Sequence, residues 1–268
     1  MTNVLGIIAE YNPFHNGHLY HLQKSKEITR SEFSICIMGG NFAQRGDTSI
    51  IDKWTKAEMA LNNGVDLVIE LPTIYNISSA ENFADGAIKI LNSLKIVDFV
   101  SFGSEVGNIN TLDTIAEVLV DEPKEYVTML NHELKTGNSF PKAREKALLL
   151  YLNDLRKYTN VLSEPNNILG IEYLKALRKQ KSLIRGVTIT RENTGYNDLK
   201  FRKNYASASA IRDYIYQNKF NEIAHTIPSN VSSLLKNKID RGEVIPSLKV
   251  YEREIVYFYF IGNSFPIK

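Results

Sequence analysis

Three of the chain's five histidines, His15, His18 and His21, fall within seven residues of one another. They belong to the segment Gly6-Ile7-Ile8-Ala9-Glu10-Tyr11-Asn12-Pro13-Phe14-His15-Asn16-Gly17-His18. Two imidazoles three positions apart converge on one bound group when the backbone between them is helical. Such a pair can ligate a metal, donate N–H bonds to a phosphate, or simply furnish a polar helix start. A zinc site needs further ligands, and no carboxylate or thiolate follows to complete one. Phosphate chemistry fits better. A helix opening near Gly17 offers unpaired N–H groups and a partial positive charge. Gly17 itself carries no Cβ to hold an anion away from the backbone.

The elements that must position this turn are legible on either side of it. Short apolar runs at 4–9, 34–38, 66–71 and 98–102 have the length and composition of strands, and a fifth fits at 184–190. Helical patterns lie between the first four, at 17–28, 53–62 and 80–94. In the last of these Phe83, Ala84, Ala87, Ile88 and Leu91 make one apolar face. Strands alternating with helices predict right-handed crossovers and a parallel sheet covered on both faces. The loop after the first strand of such a sheet is a ligand-binding edge. After Glu105 the pattern becomes mostly helical, with expected helices at 111–119, 124–135, 142–155, 167–179 and 207–217. The aromatic tail at 255–261 reads equally as a strand or a helix.

With 268 residues, 43% hydrophobic and 23% charged, the chain predicts a globular protein with a substantial core. Its one cysteine, Cys36, excludes a disulfide framework and a multi-cysteine zinc site. No run approaches the length of a membrane span, and the first nine residues lack the basic start of a signal peptide, so a cytoplasmic protein without membrane contact is expected. Residues 141–220 carry 16 Lys and Arg against 7 Asp and Glu, a net +9 inside a chain of net +2. This stretch reads either as a polyanion-binding face or as solvated helix surface.

His15-Asn16-Gly17-His18 after a first strand resembles the HxGH signature of the nucleotidyltransferase superfamily. That superfamily carries a second signature, a Ser-rich helix start followed by Arg. Ser207-Ala208-Ser209-Ala210-Ile211-Arg212 fits it, preceded by the basic run Lys200-Phe201-Arg202-Lys203. Longer blocks are similar to the bacterial tRNA(Met) cytidine acetate ligase family. They are Gly6 to His21, Gly39-Gly40-Asn41-Phe42-Ala43-Gln44-Arg45-Gly46, Asp66-Leu67-Val68-Ile69-Glu70-Leu71-Pro72, Phe102-Gly103-Ser104-Glu105 and Pro165-Asn166-Asn167-Ile168-Leu169-Gly170.

The resemblance implies a Rossmann-like parallel sheet with a mostly helical C-terminal part. It divides the chain into a catalytic domain at 1–217 and a helical appendage at 218–268, shortened relative to the family. It implies ATP as substrate with Mg2+ held mainly by phosphates and water. Acetate and elongator tRNA(Met) are the implied partners, with acetyl-adenylate as the intermediate. The implied catalytic set is His15, His18, Lys203 and Arg212. The implied nucleotide-binding set is Ile7, Ile8, Ala9, Glu10, Tyr11, Asn12, Pro13, Phe14, His15, Asn16, Gly17, His18, Leu19 and Tyr20, with Gly103, Asn166, Asn167, Arg191, Ser207 and Ser209.

For several of these positions the residues alone leave a plainer role open: a strand-end turn at Gly103, a helix cap at Asn166 and Asn167, a surface ion pair at Arg191. The loop at 39–46, with Gln44 and Arg45, reads either as a cover for substrate or tRNA or as ordinary surface. Glu70 and Asp66 are placed to orient Lys53 or Arg45. Two other functions stand beside this one: a small-molecule adenylyltransferase of cofactor biosynthesis, which shares both signatures, and a non-catalytic tRNA-binding protein, against which the intact His15, His18 and Arg212 argue.

Overall fold

The first strand, β1 (Asn3–Ala9), lies at the centre of a sheet whose other members are β2 (Ser31–Gly39), β3 (Leu67–Leu71), β4 (Phe99–Ser104) and β5 (Arg185–Thr190). The structure is a computed structural model that describes residues 2–191 and 204–262. The strand order is β3-β2-β1-β4-β5, and every neighbouring pair is parallel. From β1 the chain builds outward through β2 to β3, then returns to lay β4 on the other side of β1. That reversal opens a crevice beyond the C-terminal ends of β1 and β4, where such sheets bind ligands. Leu5, Gly6 and Ile7 pair with Phe99, Val100 and Ser101, which sets the two strand ends side by side.

Side-chain alternation along β2 shows how the sheet is covered. Ile35 and Ile37 join a core made with α4 (Ala80–Leu94), α5 (Ile109–Asp121) and α9 (Pro165–Lys179). Cys36 and Met38 point the other way, into a core with Leu22 of α1 (Asn16–Thr29) and Met59 and Ala60 of α2 (Lys53–Leu61). The short α3 (Thr73–Asn76) precedes α4, while α6 (Lys124–Lys135), α7 (Phe140–Leu152) and α8 (Leu155–Tyr158) extend the first core through Tyr126, Leu148 and Tyr158. Beyond β5, α10 (Ala208–Tyr216), α11 (Phe220–Ile223) and α12 (Ser229–Asp240) put Ile211, Ile215, Ile223, Val231 and Leu235 into the second core.

The expected helix at 142–155 sits at 140–152, because Pro141 suits a first turn and Asn153 adopts a left-handed conformation that ends it. The tail is helical, as α13 (Glu252–Gly262). Among the described residues no helix is long and apolar enough to cross a membrane.

Candidate active site

β1 delivers the chain into a turn that is largely interior: Tyr11, Asn12, Phe14 and His15 are all buried. Asn12 fixes the turn by accepting the Ile50 N–H on Oδ1 at 2.8 Å. The Tyr11 and Phe14 rings meet edge-on at 4.7 Å and wall one side of His18. His15 then caps α1. Its Nδ1 accepts the Gly17 N–H at 3.0 Å, and its own N–H donates to His18 Nδ1 at 3.3 Å. The two imidazoles stack with centroids 3.6 Å apart. With both Nδ1 atoms accepting, each neutral ring carries its proton on Nε2, so two Nε2–H donors remain for a ligand. No acidic side chain lies in the first turn of α1 to neutralise its positive end.

The electrostatics keep these rings neutral. Burial, then the Arg191 guanidinium, push His15 down to about 3. His18 lies well below its ordinary value through burial, then His15, Arg191 and His21. His21, whose Nε2 lies 3.2 Å from Ser101 Oγ, falls to about 4 by burial and Arg191, against the opposing pull of the Phe102 backbone. The unfolded chain therefore binds these protons near pH 6.5, while the fold refuses those of His15 and His21 until about 3 and about 4 and holds His18 low as well. Stability is expected to fall as pH drops from about 6.5 to 5, ahead of most carboxylate titration. Urea midpoints across that window check it. A flat profile would mean the histidines are not held neutral.

Across the crevice a second network joins β4, α9 and the end of β5. The Arg191 N–H donates to the Ser104 carbonyl at 2.8 Å, and Nη1 donates to Asn166 Oδ1 at 2.6 Å. Asn166 Nδ2 donates to Glu105 Oε1 at 2.5 Å, and the Asn167 N–H to Glu105 Oε2 at 2.9 Å. Gly103 lies under Arg191: a Cβ there would come 2.8 Å from Arg191 Cγ. The asparagines are not helix caps. Pro165 begins α9 two residues earlier than expected, so Asn166 and Asn167 stand inside its first turn. Glu105, absent from the expected site residues, supplies the capping carboxylate. The visible signal was an acidic residue just past a strand end at the ligand-binding edge. Asn167 is buried, and its Oδ1 accepts the Val106 N–H at 3.1 Å.

The second signature arrives beside the first. Ser207 Oγ caps α10 by accepting the Ala210 N–H at 3.1 Å and lies 3.0 Å from Ser209 Oγ. Arg212 Nη1 donates to the Asn12 carbonyl at 2.7 Å, and Asn16 Nδ2 donates to the Asn204 carbonyl at 2.9 Å. Two segments about 200 positions apart thus share one wall of the crevice. Lys203, with Lys200 and Arg202, lies outside the described residues.

Elsewhere in the expected set, Ile7 packs in the second core and Ile8 against the first, so they reach a ligand only through backbone. Ala9, Asn16, Gly17 and Leu19 are half-buried, the Pro13 ring is interior, and Tyr20 is exposed. Glu10 turns away from the histidines and accepts the Gln44 N–H at 2.6 Å. Glu70 does orient Lys53, at 2.6 Å, whereas Asp66 pairs with Lys26.

The basic stretch at 141–220 is less free than its count suggests. Arg144 and Lys175 pair with Glu172, Lys175 and Lys179 with Glu81, Lys146 with Glu133, and Arg178 with Asp113 and Glu117. Among the described residues five of these sixteen cations answer acidic partners, so that part of the stretch is ion-paired helix surface.

A sequence profile described as HIGH nucleotidyl transferase matches residues 2–263. The chain belongs to the HIGH nucleotidyl transferase family. Among members of known description, the chain is 47% identical over 264 residues to the tRNA(Met) cytidine acetate ligase of Thermoanaerobacter sp. (strain X514), covering 98% of this chain and 65% of that protein. It is 53% identical over 221 residues to the tRNA(Met) cytidine acetate ligase of Clostridium botulinum (strain Langeland / NCTC 10281 / Type F), covering 81% and 54%. This HIGH nucleotidyl transferase therefore spans under two thirds of the length of those relatives. Crystal structures of Thermotoga maritima TmcAL superpose on it. The apo form gives a TM-score of 0.91 at 38% identity, over 96% of this chain and 62% of that one. The form bound with alpha-thio ATP gives 0.86 at 37%, over 93% and 59%.

Proposed function

We propose that this chain activates acetate with ATP and passes the acetyl group to the wobble cytidine of elongator tRNA(Met), a reaction belonging to the cytoplasm. The carrying observation is the stacked His15–His18 pair, neutral and presenting two Nε2–H donors at the open end of β1, with Arg212 tied to the same turn. The names of the relatives and the nucleotide analogue held by the Thermotoga protein support the same reading.

A carboxylate oxygen of acetate attacks the α-phosphorus of ATP. The bond to the β-phosphate oxygen breaks, and pyrophosphate leaves. Acetate needs no base for this step. Charge grows on the phosphoryl oxygens and the leaving group, so catalysis is positioning plus charge stabilisation. His15 and His18 donate to those oxygens, the first turn of α1 adds its N–H groups, and Arg212 with Lys203 meets the pyrophosphate. Gly103, Asn166 and Arg191 line the nucleoside side, with Arg191 moving off Gly103 to admit it. The cytidine N4 then attacks the acetyl carbon, AMP leaves, and the amine loses a proton.

Among the described residues no group of three His, Cys, Asp or Glu side chains is placed to hold a metal. Glu10 and Glu105 are already bonded to backbone N–H groups. Mg2+ accompanying ATP would be held chiefly by the nucleotide rather than by these carboxylates, and would supply neutralisation of phosphate charge.

Exchange of labelled pyrophosphate into ATP, run with a panel of small carboxylic acids, tests the reading. Acetate-dependent exchange supports it, and none with any acid overturns it. For the tRNA step, reversal of Arg202 and Lys203 to Glu is expected to weaken binding more than reversal of Lys89 and Lys95, with a shallower salt slope. Filter binding across a salt series measures both. Equal effects of the two pairs would remove the 200–203 run from the tRNA contact.

A further inference from the structure

The reaction just proposed places a demand on the surface beside the crevice. A wobble base reaches a buried site only by leaving the stack of its loop, and its neighbours then lose a stacking partner. Proteins that read unpaired loops supply aromatic rings for this purpose.

The loop after β2 offers such rings at the right edge of the sheet. Trp54, in the first turn of α2, is 75% exposed, and Phe42 is 38% exposed. The Lys53 ammonium, held by Glu70 at 2.6 Å, lies 5.3 Å from the centre of the Trp54 ring, and Arg45 stands exposed at the loop tip. An exposed tryptophan is a large apolar surface that folding does not require there.

Nor is the loop slack. Buried Lys56 donates to the Gly39 and Gly40 carbonyls, both at 2.8 Å, and to Ser49 Oγ at 3.1 Å. Asn76 Nδ2 holds the Phe42 carbonyl at 2.6 Å, and Asn41 Oδ1 accepts the Lys53 N–H at 2.9 Å. The Gln44–Glu10 bond joins the loop to the residue just before the histidine turn. The platform is thus preorganised, on the loop that follows β2, the strand paired directly with β1.

We propose that Trp54 and Phe42, flanked by Lys53 and Arg45, form a stacking platform for unpaired bases of the tRNA anticodon loop while the wobble cytidine occupies the crevice. This rests on the tRNA reading above. Exposed aromatic rings, with a lysine over one of them and an exposed arginine on the same loop, suit the faces of bases beside a phosphate backbone.

Trp54 is the chain's only tryptophan, so its fluorescence reports this site alone. A synthetic anticodon stem-loop with an unpaired loop is expected to quench that emission saturably, and a fully paired duplex of matched length is not. By anisotropy of the labelled stem-loop, Trp54→Leu is expected to weaken binding roughly tenfold or more, and Phe42→Ala by less. Both variants should keep acetate-dependent pyrophosphate exchange at the wild-type rate.

Stem-loop binding without quenching, equal quenching by the duplex, unchanged affinity of Trp54→Leu, or no binding at all would each overturn the platform. So would a blue-edge emission that shifts red on dilution, which would assign the ring to a second copy of the chain. If exchange persists in any of these cases, acetate activation stands and only the platform fails. If wild-type exchange is absent, the site reading itself fails.

Discussion

His18→Ala is expected to lose acetate-dependent pyrophosphate exchange by about 100-fold or more while ATP affinity changes little. The imidazole does two things that alanine cannot. Its Nε2–H is free to donate to a phosphoryl oxygen, and its Nδ1 accepts the His15 N–H at 3.3 Å. The first matters most when charge rises in the transition state, so the loss falls on kcat. The second keeps His15 in its stack. The fold should survive, because α1 is anchored further along by buried Leu22, Ser25 and Thr29.

Two further variants separate the roles. In His18→Asn the side-chain oxygen reaches about as far as Nδ1, which restores the cap without the donor. In His18→Gln the amide nitrogen reaches toward the Nε2 position. Exchange rates should therefore rank wild type, then Gln, then Asn close to Ala. Full turnover by His18→Ala would reduce His18 to a helix cap and end the mechanism.

Sequence showed the sheet and the histidine turn because both rest on local signals. Doubly covered strands read as continuous apolar runs, and α4 and α6 have the bounds that their apolar spacing and flanking residues predict. What stayed hidden depends on partners far along the chain. The Glu105 carboxylate caps a helix about 60 residues later. Lys56 looks like a surface lysine until its spacing from Met59 and Ala60 is read as the buried face of α2. The net +9 of residues 141–220 was countable, but its pairing with Glu81, Asp113, Glu117 and Glu133 was not. Short α3 and α8 escaped because a single turn carries too little periodicity to register.

The glycine of the histidine turn gives the second large effect, for a reason that sequence did not supply. Read from sequence, Gly17 admits an anion to the backbone. In the structure a Cβ at Gly17 would also come 2.9 Å from His15 Cε1 and 3.0 Å from Nδ1. The His15 ring has nowhere cheap to go: it is 5% exposed, bonded to the Gly17 N–H and stacked on His18. Gly17→Ala must push that ring aside, breaking the cap and displacing an Nε2–H donor. A displacement on the order of 1 Å at a catalytic group costs roughly 100-fold in rate. Gly17→Ala is expected to lose about that much exchange while remaining folded.

Gly103→Ala is the matched control. Its Cβ meets Arg191 Cγ at 2.8 Å, but Arg191 is an exposed, many-jointed side chain that can swing clear. That variant should lose little kcat and show its effect in the KM for ATP. Histidine NMR titration supplies the structural reading, since a His15 released from its pocket should titrate well above its wild-type value of about 3 and toward 6.5. Wild-type exchange by Gly17→Ala, or an unmoved His15 titration beside a large loss of activity, would show that the close packing of glycine and imidazole is not what holds the catalytic geometry.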